Sequence, residues 1–284
     1  MSKSQPSSNQ RGIALIAVLW VVAALGIMVV GMMHVVKSEI RLASQLQRAA
    51  LDSGLADAAI RVALQQTLQA NKKEFKSIES SVIPVLGREV QVDFIPLNGL
   101  INLNHAPVDL MTDAFKFGAG LSQEQAAAIA QGIELERKKP NTKGEAAKLH
   151  GVEDLLRIVG MDYDIYARVS GIFTTDLEDT QRVNPLAAPL AVLNVLAQGK
   201  EGLAQQVLMN RTERGDTTDP TQLSGTHVQI ASTGFIAARA TVSSGDNTAV
   251  VRVWRLSLSG DAYGLPWRVL GKDAPFQTNG QPPP

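Results

Sequence analysis

The sequence contains no cysteine, so it can form neither a disulfide nor a thiolate metal site. That absence leaves the compartment open. It also lacks an excess of either charge. Lysine plus arginine and aspartate plus glutamate number 27 each, which removes the global basic field that favours nucleic acid or an anionic membrane surface. The fingerprints of common catalytic machinery are missing as well. There is no Gly-x-Ser-x-Gly elbow, no P-loop and no dinucleotide-binding glycine pattern, and His34, His105, His150 and His227 show no ligand spacing of the His-Glu-x-x-His kind. A periplasmic enzyme therefore has no residues to recommend it. One further absence is informative: from Gly12 to Met33 there is no charged residue at all.

A charge-free run of about 20 residues matches the roughly 30 Å hydrocarbon thickness of a bilayer at about 1.5 Å rise per residue. It is longer than the apolar region of a cleaved secretory signal, about 7–15 residues, and continues without a turn residue into further helix, so an anchor is expected. Lys3 and Arg11 flank the run on one side, with no acid before it. The positive-inside rule then puts the bulk of the chain on the far side of an inner membrane. His34 marks the polar end of the run, where an ionisable group carries little cost.

The 284 residues allow one or two compact domains. Beyond the apolar run, Leu42, Leu46, Ala49, Ser53, Ala56, Ile60, Leu64 and Leu68 recur at spacings of three and four. They define one face of a continuing helix, and Ile13 to Leu68 would be on the order of 80 Å long. The alternative, a coiled-coil stalk, is poorly served by a stripe so rich in alanine and serine. Residues 71–87, with serines, lysines and Pro84, read as a connection. Arg88 to Ile95 alternates, with Val90, Val92 and Phe94 expected to face a core.

From Pro96 to about Gly225 the pattern is mostly helical, with an internal echo. Ile101-Asn102-Leu-Asn-His-Ala106-Pro107-Val108-Asp-Leu110-Met111 aligns without gaps on Val183-Asn184-Pro-Leu-Ala-Ala188-Pro189-Leu190-Ala-Val192-Leu193. Asparagine, alanine and proline share their offsets. An asparagine that closes a side-chain turn and a proline at a helix start are N-terminal punctuation. Each copy is followed by Gly-Leu, at Gly120-Leu121 and Gly202-Leu203, and then a helical stretch, so two related helical units are expected. Between them, Val152-Glu-Asp-Leu155-Leu156-Arg-Ile158-Val-Gly160-Met161 resembles a helix-hairpin-helix. In nucleic-acid-binding versions the glycine turn meets a phosphate, but Asp162 and Asp164 stand where phosphate would approach. A structural role is the reading favoured here; a membrane-tethered nucleic-acid-binding module is the rival.

After Gly225 the pattern turns to strands: His227–Ala231, Gly234–Val242 and Thr248–Leu258, with hairpin-turn chemistry at Ser243–Asn247. The segment from Trp267 adds a last edge strand before a frayed Gly- and Pro-rich end. The fold class expected is α+β: a long N-terminal helix packed on an antiparallel sheet, with a large helical domain inserted in the sheet region. The expected divisions are a leader at 1–12, the helix at 13–70, a sheet region at 71–98 and 226–284, and the helical insert at 99–225.

The leader ending Gln10-Arg11-Gly12, the long apolar-then-amphipathic helix, the two Asn-x-x-x-Ala units at Asn102 and Asn184, and Leu155-Leu156-Arg-Ile158-Val-Gly160-Met161 together resemble the K-type minor pseudopilin of the type II (general) secretion pathway. The resemblance spans nearly the whole chain through the order of its motifs. It implies a pilin-like fold, cleavage by prepilin peptidase between Gly12 and Ile13, and methylation of the new terminus. It also implies a single-pass inner-membrane protein with its bulk in the periplasm. The partners implied are the I- and J-type minor pseudopilins, the major pseudopilin, the inner-membrane secretion platform and secreted substrates, at the tip of a pseudopilus. Neither catalysis nor a nucleic-acid partner is implied.

Counted from Ile13, the fifth residue is Ala17, where most pilins carry glutamate. The K-type family likewise lacks that glutamate, which makes Ala17 the candidate assembly residue: a first subunit has no neighbour above it whose amine would pair the carboxylate. A generic anchor would also carry an apolar residue there. K-type members carry an Asp- and Trp-containing acidic segment after the first insert helix, whereas this chain reads Gly132-Ile-Glu134-Leu-Glu136-Arg-Lys-Lys-Pro140. Family calcium sites are therefore not carried over. The remaining acidic loop supplies Asp176, Glu178 and Asp179 as candidate metal ligands, hard oxygens that suit calcium, against the plainer reading of a solvated loop. No other cofactor is expected.

Overall fold

The computed structural model describes residues 9–140, 147–214, 219–244, 248–260 and 264–278; at 9–14, 29–36, 38 and 214 it describes the backbone alone. The leader up to residue 8, the turn centre at 245–247 and the tail from residue 279 lie outside the described residues. The chain divides into two compact units, Met1–Asp52 and Ser53–Pro284. The division falls within helix α1, Asn9–Gln69.

In the first unit the described elements are the earlier turns of α1. Leu15, Ile16, Val18, Leu19, Trp20, Val21, Val22, Leu25, Ile27 and Met28 are all exposed, so the apolar surface runs right round the helix. Among the described residues no helix is long and apolar enough to cross a membrane. The fully described part of the apolar run, Leu15 to Met28, is shorter than the about 20 residues a crossing takes. Leu42 and Leu46 are exposed too, so the expected stripe is not covered at its start.

In the second unit the same helix behaves as a spine. Ala56, Ala59, Ile60, Ala63 and Leu64 are buried, the three-and-four spacing that keeps one face on a partner. Small alanines bring the backbone close to the sheet, while Ile60 and Leu64 fill the space between its side chains. The helix stops in a Schellman arrangement: Asn71 takes a left-handed φ of 55°, Lys72 N–H donates to Thr67 C=O at 3.1 Å, and Asn71 N–H donates to Leu68 C=O at 2.9 Å.

The residues read as a connection contain a strand. β1 (Glu79–Val85) pairs with β2 (Arg88–Pro96) through a two-residue turn with positive φ at both Leu86 (48°) and Gly87 (78°). That is the geometry whose twist matches antiparallel strands. Serines and a proline masked β1, and Pro84 is tolerated because β1 is an edge strand. After the short parallel pair β3 (Ile101–Asn102) and β4 (Phe173–Thr174), the main sheet resumes with β5 (Phe235–Ser243) and β6 (Ala249–Ser257). β7 (Arg268–Lys272) and β8 (Phe276–Thr278) share the outer edge of β6. The order is β1-β2-β5-β6-β7, every pair antiparallel. The strand expected at His227–Ala231 does not form; Val228 makes only a single parallel bridge to Val183.

Alternation on β2 assigns its faces. Val90, Val92 and Phe94 join the α1 face with Ile236, Ala238, Ala240 and Val242 of β5. Asp57 ties α1 to β6, accepting from Arg252 Nε at 2.9 Å and Trp254 Nε1 at 2.8 Å. The Trp254 ring meets two cations, Lys272 Nζ at 3.7 Å and the Arg61 guanidinium at 5.2 Å from its centroid. On the opposite face Asp93 is buried against Arg239 Nε (3.1 Å) and Ser80 Oγ (2.6 Å). There too Ile95, Phe235, Ala237 and Val253 meet Leu97 and Leu177 of the helical block.

That block is threaded between β2 and β5. It contains α2 (Val108–Asp113), α3 (Gln123–Lys138), α4 (Tyr163–Val169), α5 (Leu190–Leu196) and α6 (Glu201–Arg214) around its own core of Leu110, Phe115, Ile133, Leu155 and Ile172. The protein is thus an α+β fold with a helical block inserted in the order of its antiparallel sheet.

Candidate functional site

The most constructed part of the molecule is the pair of Asn-Ala-Pro units. Asn102 and Asn184 are both buried. Each side-chain oxygen accepts from the backbone N–H two residues on, Asn104 at 3.0 Å and Leu186 at 3.1 Å, which closes the turn. Each amide donates across to other loops: Asn102 to the later Glu178 C=O (2.8 Å), Asn184 to the earlier Lys76 C=O (2.7 Å) and the later Ala231 C=O (3.2 Å). Pro107 and Pro189 then occupy the N-cap positions of α2 and α5 in extended conformation, with φ of −68° and −67°. Even the parallel pairing is repeated: Ile101 with Phe173, and Val183 with Val228.

A further equivalence is not visible from the aligned segments. In each copy the second helix returns an arginine to the carbonyl just before the proline. Arg137 Nη1 of α3 donates to Ala106 C=O at 2.9 Å, and Arg211 Nη1 of α6 donates to Ala188 C=O at 2.7 Å and to Pro185 C=O at 3.1 Å. Burial holds both guanidinium groups below the ordinary arginine range, an effect Glu134 partly offsets at Arg137. The Gly-Leu echo, in contrast, is not equivalent in space. Gly120, with φ of 71°, precedes Ser122, which caps α3, whereas Gly202 lies inside α6. The counterpart of Gly120 is Gly199, with φ of 79°.

The remaining sequence-derived candidates are dispersed. Gly12 and Ile13 lie within α1, where the backbone alone is described, and Ala17 is exposed on the same helix. Asp176 is engaged by Arg255 Nη1 at 2.5 Å. Glu178 and Asp179 are exposed, with Asp179 3.8 Å from His105 Nδ1. The three acids are not gathered, and among the described residues no group of three or more histidines, aspartates and glutamates could hold a metal ion. His227 is buried 3.7 Å from Asp109 of α2, and beside it burial raises the Asp113 carboxyl above the usual aspartate range.

The hairpin at 152–161 has a 3₁₀ first arm, Val152–Arg157, and α4 as its second. Gly160 adopts φ of 90°, and Asp162 caps α4 by accepting from Ile165 N–H at 2.8 Å. Ile158 packs so closely on α3 that a Cβ at Gly132 would stand 2.9 Å from it. The carboxylate of Asp162 therefore occupies the turn where a phosphate would have to bind.

No protein-family model matches the chain, and no curated protein matches it. Among solved structures it is similar to a chain of the crystal structure of the GspK-GspI-GspJ complex from the enterotoxigenic Escherichia coli Type 2 Secretion System. The identity is 15% and the TM-score 0.49, over 86% of this chain and 100% of that one.

Proposed function

We propose that the protein is a minor pseudopilin of the K type, a membrane-anchored structural subunit that starts or caps a type II secretion pseudopilus and supports protein export. The observation that carries this reading is α1. Its described early turns expose apolar side chains on every side, and its last turns form the spine of an antiparallel sheet. A helix apolar all round calls for an apolar surrounding, either lipid or other helices, and a pseudopilus subunit meets both.

In this reading the bilayer takes up Gly12–Met33 with Lys3 and Arg11 on the cytoplasmic side, and the folded unit stands in the periplasm. Prepilin peptidase cuts after Gly12, and Ile13 becomes the methylated N-terminus. Ala17 spares the subunit an unpaired carboxylate in hydrocarbon, which costs about 2.5–3.5 kcal/mol on insertion scales. Its partners are the I- and J-type minor pseudopilins, the major pseudopilin and the inner-membrane platform, with secreted substrates as cargo. The role needs neither a catalytic group nor a cofactor.

Co-purification from gently solubilised membranes tests the assignment. Recovery of small pilin-like partners in defined stoichiometry, lost when Gly12–Met33 is replaced by an unrelated membrane span, is the expected result. A chain recovered alone in both forms would contradict it.

A further inference from the structure

Among the described residues, the duplication singles out a hairpin that the first copy has and the second does not show. In the first copy, residues 139–172 connect α3 to the pairing strand β4, and they include the 152–161 hairpin and α4. In the second copy, the connection from α6 to Val228 is far shorter, and its described part, 219–227, consists of turns. The shared architecture closes without a hairpin. The first copy's hairpin is nevertheless rigidly built, with Leu155, Ile158, Ile165 and Val169 in the core.

Its tip faces solvent. Val159 is 92% exposed and Tyr163 76% exposed, and Asp162 and Asp164 are exposed beside them. The nearby cations are already engaged. Arg157 pairs with Asp154 at 3.2 Å, and Arg168 donates to Ala119 C=O at 2.5 Å and Asp164 C=O at 3.1 Å. The result is an apolar-aromatic knob with an acidic rim on a stiff base. Tyrosine on a rigid base is an effective interface anchor, and rim carboxylates select and steer a cationic partner. The same carboxylates repel phosphate.

We propose that this tip, Val159 to Asp164, is a docking knob for a protein partner that presents an apolar pocket rimmed by lysine and arginine. The tip belongs to the second compact unit, Ser53–Pro284.

The test places photoreactive benzoylphenylalanine at position 159 of the full chain in its native membranes and maps the crosslinked peptides by mass spectrometry. Crosslinks should concentrate on one protein, at a site flanked by lysine or arginine. Their yield should fall several-fold in the Asp162→Asn/Asp164→Asn variant and in high salt. Asparagine caps a helix as well as aspartate, so that variant keeps α4. Absent or scattered crosslinks, a site without basic residues, or a yield indifferent to the two carboxylates would overturn the proposal. So would binding of a fluorescent duplex oligonucleotide that strengthens in the same variant, because it would assign the hairpin to nucleic acid.

Discussion

Arg137 and Arg211 do the same job in the two copies of the repeated unit, each closing a turn by donating to the carbonyl of a buried alanine. A buried guanidinium is tolerated only while its acceptors are in place, and removing it strands them. Arg137→Met and Arg211→Met should each cost about 1.5–3 kcal/mol, the range for hydrogen bonds to a charged group, read as a lower urea midpoint of the detergent-solubilised chain. Lysine at either position should recover only part of that loss, because it offers no planar fork. The asparagines and prolines of the duplication were legible because their side chains act on adjacent backbone. The arginines were not, because their partners lie a whole helical hairpin away and at different distances in the two copies. Asp113 makes a residue-scale prediction about pH. Burial raises its folded pKa above the unfolded value, so its ionisation disfavours the fold as pH rises through that raised value. Asp113→Asn should raise the melting temperature near neutral pH, and the gain should vanish in acid below the ordinary aspartate range.

Elements were read from the sequence as well as their patterns were clean. α1, β2, β5 and β6 carry strong three-four or alternating signals, and each forms. β1 has exposed serines and a proline, so its composition looks like a loop, although of its side chains Ile83 is buried in the core with Val85 half-buried beside it. The sequence at His227–Ala231 alternates like a strand, but Asn184 holds Ala231 C=O and Val183 takes the one available bridge, leaving no neighbour for a ladder. In the acidic loop Asp176 pairs with Arg255, a partner the sequence does not place beside it because it lies on β6, far along the chain. Two glycines separate propensity from packing. Gly54 sits in α1 with nothing within 4 Å of an added Cβ, so Gly54→Ala should stabilise the fold by up to about 1 kcal/mol. At Gly99 an added Cβ would lie 2.4 Å from the Ala187 carbonyl carbon and oxygen, backbone that cannot rotate away. Gly99→Ala should therefore cost about 1–3 kcal/mol, with hydrogen exchange quickening first in α5 and α6.

At the scale of the whole molecule, the sheet and α1 make a core that is interrupted, between β2 and β5, by a helical block with a core of its own. An insertion between sheet-adjacent strands leaves the sheet order intact, because β2 and β5 pair directly once the block has folded back on itself. The central proposal concerns the other end of the chain: we propose that the apolar run is the mature start of an assembly helix, not simply a tether. N-terminal sequencing with mass analysis of the protein extracted from membranes, made with and without its prepilin peptidase, tests that most directly. The account predicts a chain beginning at methylated Ile13 when the peptidase is present and at the unprocessed leader when it is absent. An uncut leader in both preparations, or a cut inside the apolar run, would contradict it.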